Sequence, residues 1–237
     1  MADFLLVHGA WHASWCWEKI VPLLEKRGHS VRTLDLPSFG DDPTPKSAVT
    51  LATCAQKIVD ALARPPGKTI LVGHSMGGIM ISEAGELAPD RIARLVYVCA
   101  FLPKNGESLA TYASQDAASL IPASIEPKAD GTGIIKPDKA RAVFYGECSD
   151  ADAATATARL EATPNSLPVA PVSLTNEAFG RIEKHFIRCN KDRATSPVIQ
   201  DKMCANWPLA SVSALDTDHS PFLSAPEALA DILLRLA

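Results

Sequence analysis

Six short apolar runs, separated by stretches with helical spacing, constrain this chain more than any other feature in it. Phe4–His8 stops at Gly9, Val31–Leu36 at Pro37 and Thr69–Val72 at Gly73, while Leu95–Ala100, Phe186–Cys189 and Ser211–Leu215 complete the set. Runs that are brief, continuous and rich in β-branched residues suit parallel strands covered on both faces. Between them, Trp17–Lys26, Thr50–Ala63, Gly77–Ala88 and Pro226–Ala237 repeat apolar residues near the helical period. Strand and helix in alternation predict an α/β fold: an open, mainly parallel six-stranded sheet flanked by helices. Ligands bind such sheets beyond the carboxyl ends of the strands, so the residues just after each run are the candidates for chemistry.

The rhythm breaks between Lys104 and Phe179, where Pro, Ala and Ser are frequent and no strand signal stands out. Helical pieces are expected at Asp138–Tyr145 and Asp150–Leu160. An unstructured loop this long does not belong inside a compact domain. Residues 104–179 are therefore read as a small, mostly helical cap inserted into a core made of 1–103 and 180–237. A chain of 237 residues with 47% hydrophobic content can bury such a core. Its net charge of −4 is scattered, with no basic stripe for nucleic acid and no polybasic run for an anionic membrane. The apolar start is too short for a signal peptide, and no run approaches the roughly 18 residues of a membrane span. Six widely spaced cysteines without a CxxC pair point to free thiols and a cytoplasmic protein rather than to disulfides or a zinc site.

Gly73-His74-Ser75-Met76-Gly77-Gly78 follows the third run and opens a helix. A chance G-x-S-x-G in a chain of this length has odds of roughly one in ten; the placement between strand and helix carries the weight. In that context the serine sits on a sharp turn, its hydroxyl exposed above the sheet, and glycines flank it because side chains there would clash. Ser75 is the candidate nucleophile. A serine hydroxyl needs a base, and His219 is the best placed of six histidines, after the last run and before the last helix. The acid that orients the histidine is sought at another strand end. Asp192 follows Phe186–Cys189, whereas Asp216 and Asp218 lie too near His219 along the chain to reach its far ring nitrogen easily. Two backbone N–H groups must meet a developing oxyanion. Met76 supplies one, and Ala10, in His8-Gly9-Ala10-Trp11-His12, supplies the other. Trp11 and His12 on that loop are the candidates for lining a substrate pocket.

With these residues placed, the chain resembles the methylesterase and hydroxynitrile lyase branch of the α/β-hydrolases and its bacterial esterase relatives. FLLVHGAWHASWCWEKIVPLLEKRGHSVRTLDLPSFG, ILVGHSMGG and DTDHSPFLSAPEALADIL carry the likeness, and FYGECSDADAATATARL with PVSLT extends it into the cap. The resemblance implies an α/β-hydrolase fold, a Ser75–Asp192–His219 triad and oxyanion donors at Ala10 and Met76. The best-known lyases of the branch carry a threonine after the strand-one histidine and a lysine after the catalytic histidine. Here those positions hold Gly9 and Ser220. Ester hydrolysis is thus favoured, and the small lid and the methylesterase resemblance imply a small, uncharged carboxylic ester, aromatic and methyl esters included, with no metal or organic cofactor. Cyanohydrin cleavage and a non-catalytic ligand receptor are the competing readings. A homodimer is compatible with the sequence.

Overall fold

The computed structural model describes residues 1–63 and 67–237. Strands β1 (Asp3–Val7), β2 (Ser30–Leu34), β3 (Thr69–His74) and β4 (Ile92–Val98) come first in the chain. A small second sheet follows, made of β5 (Ile125–Pro127), β6 (Thr132–Ile135) and β7 (Thr163–Pro164), and β8 (Glu183–Cys189) and β9 (Ser211–Leu215) close the series. The main sheet has six strands in the order β2-β1-β3-β4-β8-β9, all parallel. The expected architecture is present.

Its central strands have no solvent face, which is why they read as continuous apolar runs. Successive residues point to opposite sides. Leu5, Val7, Leu71, Leu95 and Tyr97 pack on one side with the helices Leu51–Leu62 and Gly77–Leu87. Phe4, Leu6, Ile70, Val72 and Val96 pack on the other with Val21–Glu25 and Pro226–Arg235. Each fully buried Leu, Val or Phe stabilises the fold by about 1.5–3 kcal/mol relative to exposure. Edge strands β2 and β9 keep partly exposed positions instead. Helix Leu51–Leu62 begins with a reciprocal cap: Thr50 Oγ1 accepts from Thr53 N, and Thr50 N donates to Thr53 Oγ1.

The chain leaves β1 toward β2 on one side and then crosses to β3 on the other, so strand order reverses between β1 and β3. Such a switch point opens a crevice at the carboxyl ends of the strands. The segment 104–179, between β4 and β8, lies over this end. It contains the expected helices, at Pro137–Phe144 and Asp150–Ala158. It also contains the antiparallel sheet β5-β6-β7, which the sequence did not suggest. Strands of two to four residues carrying Pro127, Gly133 and Pro164 are too short and too broken to show a period-two pattern.

Candidate active site

Ser75 follows β3 directly and adopts φ 53°, a left-handed conformation uncommon for a residue with a side chain. Its neighbours hold it there. Ser75 N donates to Val98 O, and Ser75 O accepts from Gly78 N and Phe101 N. A Cβ on Gly77 would stand 2.7 Å from His8 O, and one on Gly73 would stand 2.9 Å from Gly77 O. The glycines of the motif therefore permit contact of backbone with backbone. The helix Gly77–Leu87 starts immediately beyond, and its N-terminal end favours negative charge beside the serine.

His219 and Asp192 arrive from the loops after β9 and β8. His219 Nδ1 donates to Asp192 Oδ2 at 2.7 Å, with both side chains buried. Asp192 is held in turn by Ala194 N and Thr195 N, each 2.8 Å from Oδ1, and by Gln200 Nε2, 3.2 Å from Oδ2. This pairing fixes the tautomer, leaving the His219 Nε2 lone pair free to take a proton. Ser75 and His219 line one cavity of about 70 Å³ together with Ala10, Trp11 and Met76. No hydrogen bond joins Ser75 Oγ to His219 here, a looseness common in unliganded hydrolytic sites. Among the described residues, the N–H groups of Ala10 and Met76 find no protein acceptor. Two unused donors thus border the cavity that Ser75 enters.

Three further histidines shape the site without facing the cavity. His74 Nε2 donates to the His219 carbonyl at 2.8 Å, tying the residue before Ser75 to the loop after β9. His8 Nδ1 donates to Gly9 O, and its Nε2 accepts from Leu36 N. His12 was expected to line the pocket and does not. Its ring is buried, with Nδ1 donating to Ala10 O at 2.9 Å and Nε2 accepting from Tyr145 Oη at 2.9 Å. It braces the loop after β1 from behind. Burial lowers all three from the ordinary histidine range, His8 to about 4, His12 to about 3 and His74 well below 6.5, with neighbouring histidines adding to the effect at His12 and His74. Trp11 does line the cavity.

Asp218, close to His219 in sequence, serves the loop rather than the imidazole. Its Oδ1 accepts from Ser220 N and Ser224 Oγ, and its Oδ2 accepts from Glu147 N at 2.8 Å. It therefore links the histidine loop to segment 104–179. Nothing in the sequence marked this role, because Glu147 contributes only a backbone group. Among the described residues, one trio of potential metal donors converges, His74, Cys99 and His219, within 4.8 Å. His74 Nε2 and His219 Nδ1 are already engaged, and burial pushes the Cys99 thiol well up. The trio reads as packing beneath the site.

A serine on a strand–turn–helix elbow at a sheet's switch point, facing an Asp-paired histidine, defines a hydrolase-type site. The chain belongs to the alpha/beta hydrolase family, whose model matches residues 4–232. It is 32% identical to Methylesterase 2 of Arabidopsis thaliana over 255 residues, covering 99% of this chain and 95% of that protein. Among solved structures it is similar to an Arabidopsis methylesterase, with TM-score 0.83, 27% identity and 100% and 98% of the two chains covered. It is also similar to tomato methylketone synthase I complexed with 2-tridecanone, with TM-score 0.88, 26% identity and 99% and 97% covered. Methylesterase relatives and the shared fold together support an esterase function. Among the described residues, no helix is long and apolar enough to cross a membrane.

Proposed function

We propose that the protein is a serine carboxylesterase that hydrolyses small, uncharged carboxylic esters through an acyl-enzyme. One observation carries the reading: Ser75, His219 and the two unused N–H donors of Ala10 and Met76 border a single cavity, with Asp192 bound to the far side of the imidazole. In the first step His219 Nε2 takes the Ser75 proton as Oγ bonds to the ester carbonyl carbon. The carbonyl oxygen becomes an oxyanion, which the two N–H groups receive. Collapse of this intermediate breaks the bond to the alkoxy oxygen, and the imidazolium returns its proton to the departing alcohol. Water then repeats the sequence on the acyl-enzyme, giving the acid and restoring Ser75. Segment 104–179 serves as the cap, supplying Leu109, Ile121 and Phe144 to the apolar wall.

Position 9 supports ester hydrolysis over cyanohydrin cleavage. A Cβ on Gly9 would stand 2.7 Å from Ser75 Cβ, so the threonine of the lyases does not fit this loop as it lies. Ser220 is buried, its Oγ without a partner, and brings no charge to receive cyanide. The test is turnover of p-nitrophenyl acetate and butyrate beside cyanide release from mandelonitrile. Ser75→Ala is expected to lower ester kcat by about 10⁴-fold or more. Undiminished ester turnover in that variant, or cyanide release exceeding ester hydrolysis in the unaltered protein, would overturn the reading.

A further inference from the structure

The cavity at Ser75 is small. At about 70 Å³ it has under half the volume of the roughly 150 Å³ apolar cavity that accepts benzene. A second cavity of about 340 Å³ adjoins it. The two share walls: Trp11, Leu109, Ala113, Ile121, Pro122 and Pro168 border both. Beyond the shared wall the outer chamber is bounded by the small antiparallel sheet, through Ile125, Gly133 and Thr163, and no charged side chain lines it. Every lining residue but Trp11 comes from segment 104–179.

Trp11 is unusual in three respects. It directly follows Ala10, so a carbonyl oxygen received at the Ala10 N–H brings one limb of the ester against the indole. Its backbone is left-handed, with φ 61°, a conformation that costs a residue with a side chain on the order of 1–3 kcal/mol. It is also pinned to the segment above at three points. Its N donates to Thr163 Oγ1 at 2.8 Å, its Nε1 donates to Gly133 O at 2.9 Å, and its O accepts from Glu161 N at 2.8 Å. A strained residue so fully fastened holds a fixed partition.

We propose that Trp11 is a specificity-determining residue: it sets the passage from the Ser75 cavity to the outer chamber, which receives an extended, uncharged apolar limb of the ester. This rests on the esterase reading above, and it widens the substrate from a small ester to one with a single extended limb. The chambers differ in size about fivefold, so the two limbs of a good substrate are unequal, one compact and one long or bulky.

Two variants test this in opposite directions. Trp11→Gly opens the partition, and glycine adopts the positive φ without strain. Ala110→Phe, in the helix Leu109–Ala113, fills the outer chamber from a position that does not border the inner one. The readout is the long-to-short ratio of kcat/KM in two series, p-nitrophenyl octanoate against acetate for the acyl limb and octyl against ethyl acetate for the alcohol limb. In one of the series the ratio is expected to rise at least threefold in Trp11→Gly and to fall at least threefold in Ala110→Phe. Any other pair of results overturns the assignment, and Ala110→Phe alone decides should Trp11→Gly not fold. Ser75-dependent turnover with unmoved ratios sinks this assignment and leaves the esterase reading standing. No Ser75-dependent turnover of any ester sinks the esterase reading and this assignment with it.

Discussion

The sheet and segment 104–179 meet at the same cavity but are held together by different physics. The sheet is an apolar object: its central strands are covered on both faces, and the glycines of the elbow let backbone touch backbone. The segment has a smaller core of its own, built on Val143, Phe144, Tyr145 and Ala153; it sends Tyr112, Leu167, Val172 and Leu174 into the core beside the sheet and adds polar ties to the loops. Tyr145 bonds His12, Glu147 bonds Asp218, Asp116 accepts from Ser196 N, and Ser119 Oγ donates to Ala194 O. These ties land on the loops that carry Ala10, His219 and Asp192, not on the strands. The difference teaches that the segment braces the loops around Ser75, Asp192 and His219 as well as lying over them.

The largest expected effect tests the sheet side of this contrast. Asp192→Asn keeps the shape of the carboxylate but cannot hold the required tautomer of His219, and kcat on p-nitrophenyl acetate should fall about 10⁴-fold. A loss below tenfold would mean that another acid orients the imidazole.

Acid provides the next measure. His8, His12 and His74 are buried with pKa values held below the ordinary 6.5. Between pH 6.5 and about 4 the unfolded chain therefore binds protons that the folded one does not. Stability is fully present above pH 6.5 and is lost as pH falls through this window, by about 1.4 kcal/mol per pH unit for each histidine. Urea titrations at pH 7, 6 and 5 should show the decline, and His8→Gln should make it shallower. An unchanged slope in His8→Gln would place the sensitivity elsewhere.

The smallest effect belongs to the segment. Asp218→Asn replaces one acceptor of the Glu147 N–H with an amide and should cost about 1–3 kcal/mol. The loss should be local: amide hydrogen exchange around residues 146–149 is expected to quicken about tenfold or more, while β3 and β4 keep their protection. Equal loosening of strands and segment would erase the distinction drawn between them.

The same contrast explains what the sequence made legible. β3 and the elbow were readable because a strand buried on both sides and a backbone contact at Gly77 each permit few residue types. Asp192 and His219 were readable because strand ends place them. The small sheet was hidden, since its pairing depends on Pro127, Gly133 and Pro164 meeting across the fold rather than on local periodicity. His12 misled because a loop histidine beside the oxyanion donors looks like a pocket residue until Tyr145, 133 residues away in sequence, is seen to occupy its outer nitrogen. The left-handed backbone of Trp11 leaves no mark on composition.

The bond from His74 Nε2 to the His219 carbonyl spans 145 residues. It joins the elbow, synthesised early, to a loop that emerges only just ahead of the last helix. Splitting the chain within 104–179 would put Ser75 and the N–H groups of Ala10 and Met76 on one fragment and Asp192 with His219 on the other. Neither piece could hydrolyse anything alone, and reassociation would switch turnover on. The proposed ester cleavage would thus serve as a stopwatch for this closure, starting only when the elbow and the loop after β9 have found each other.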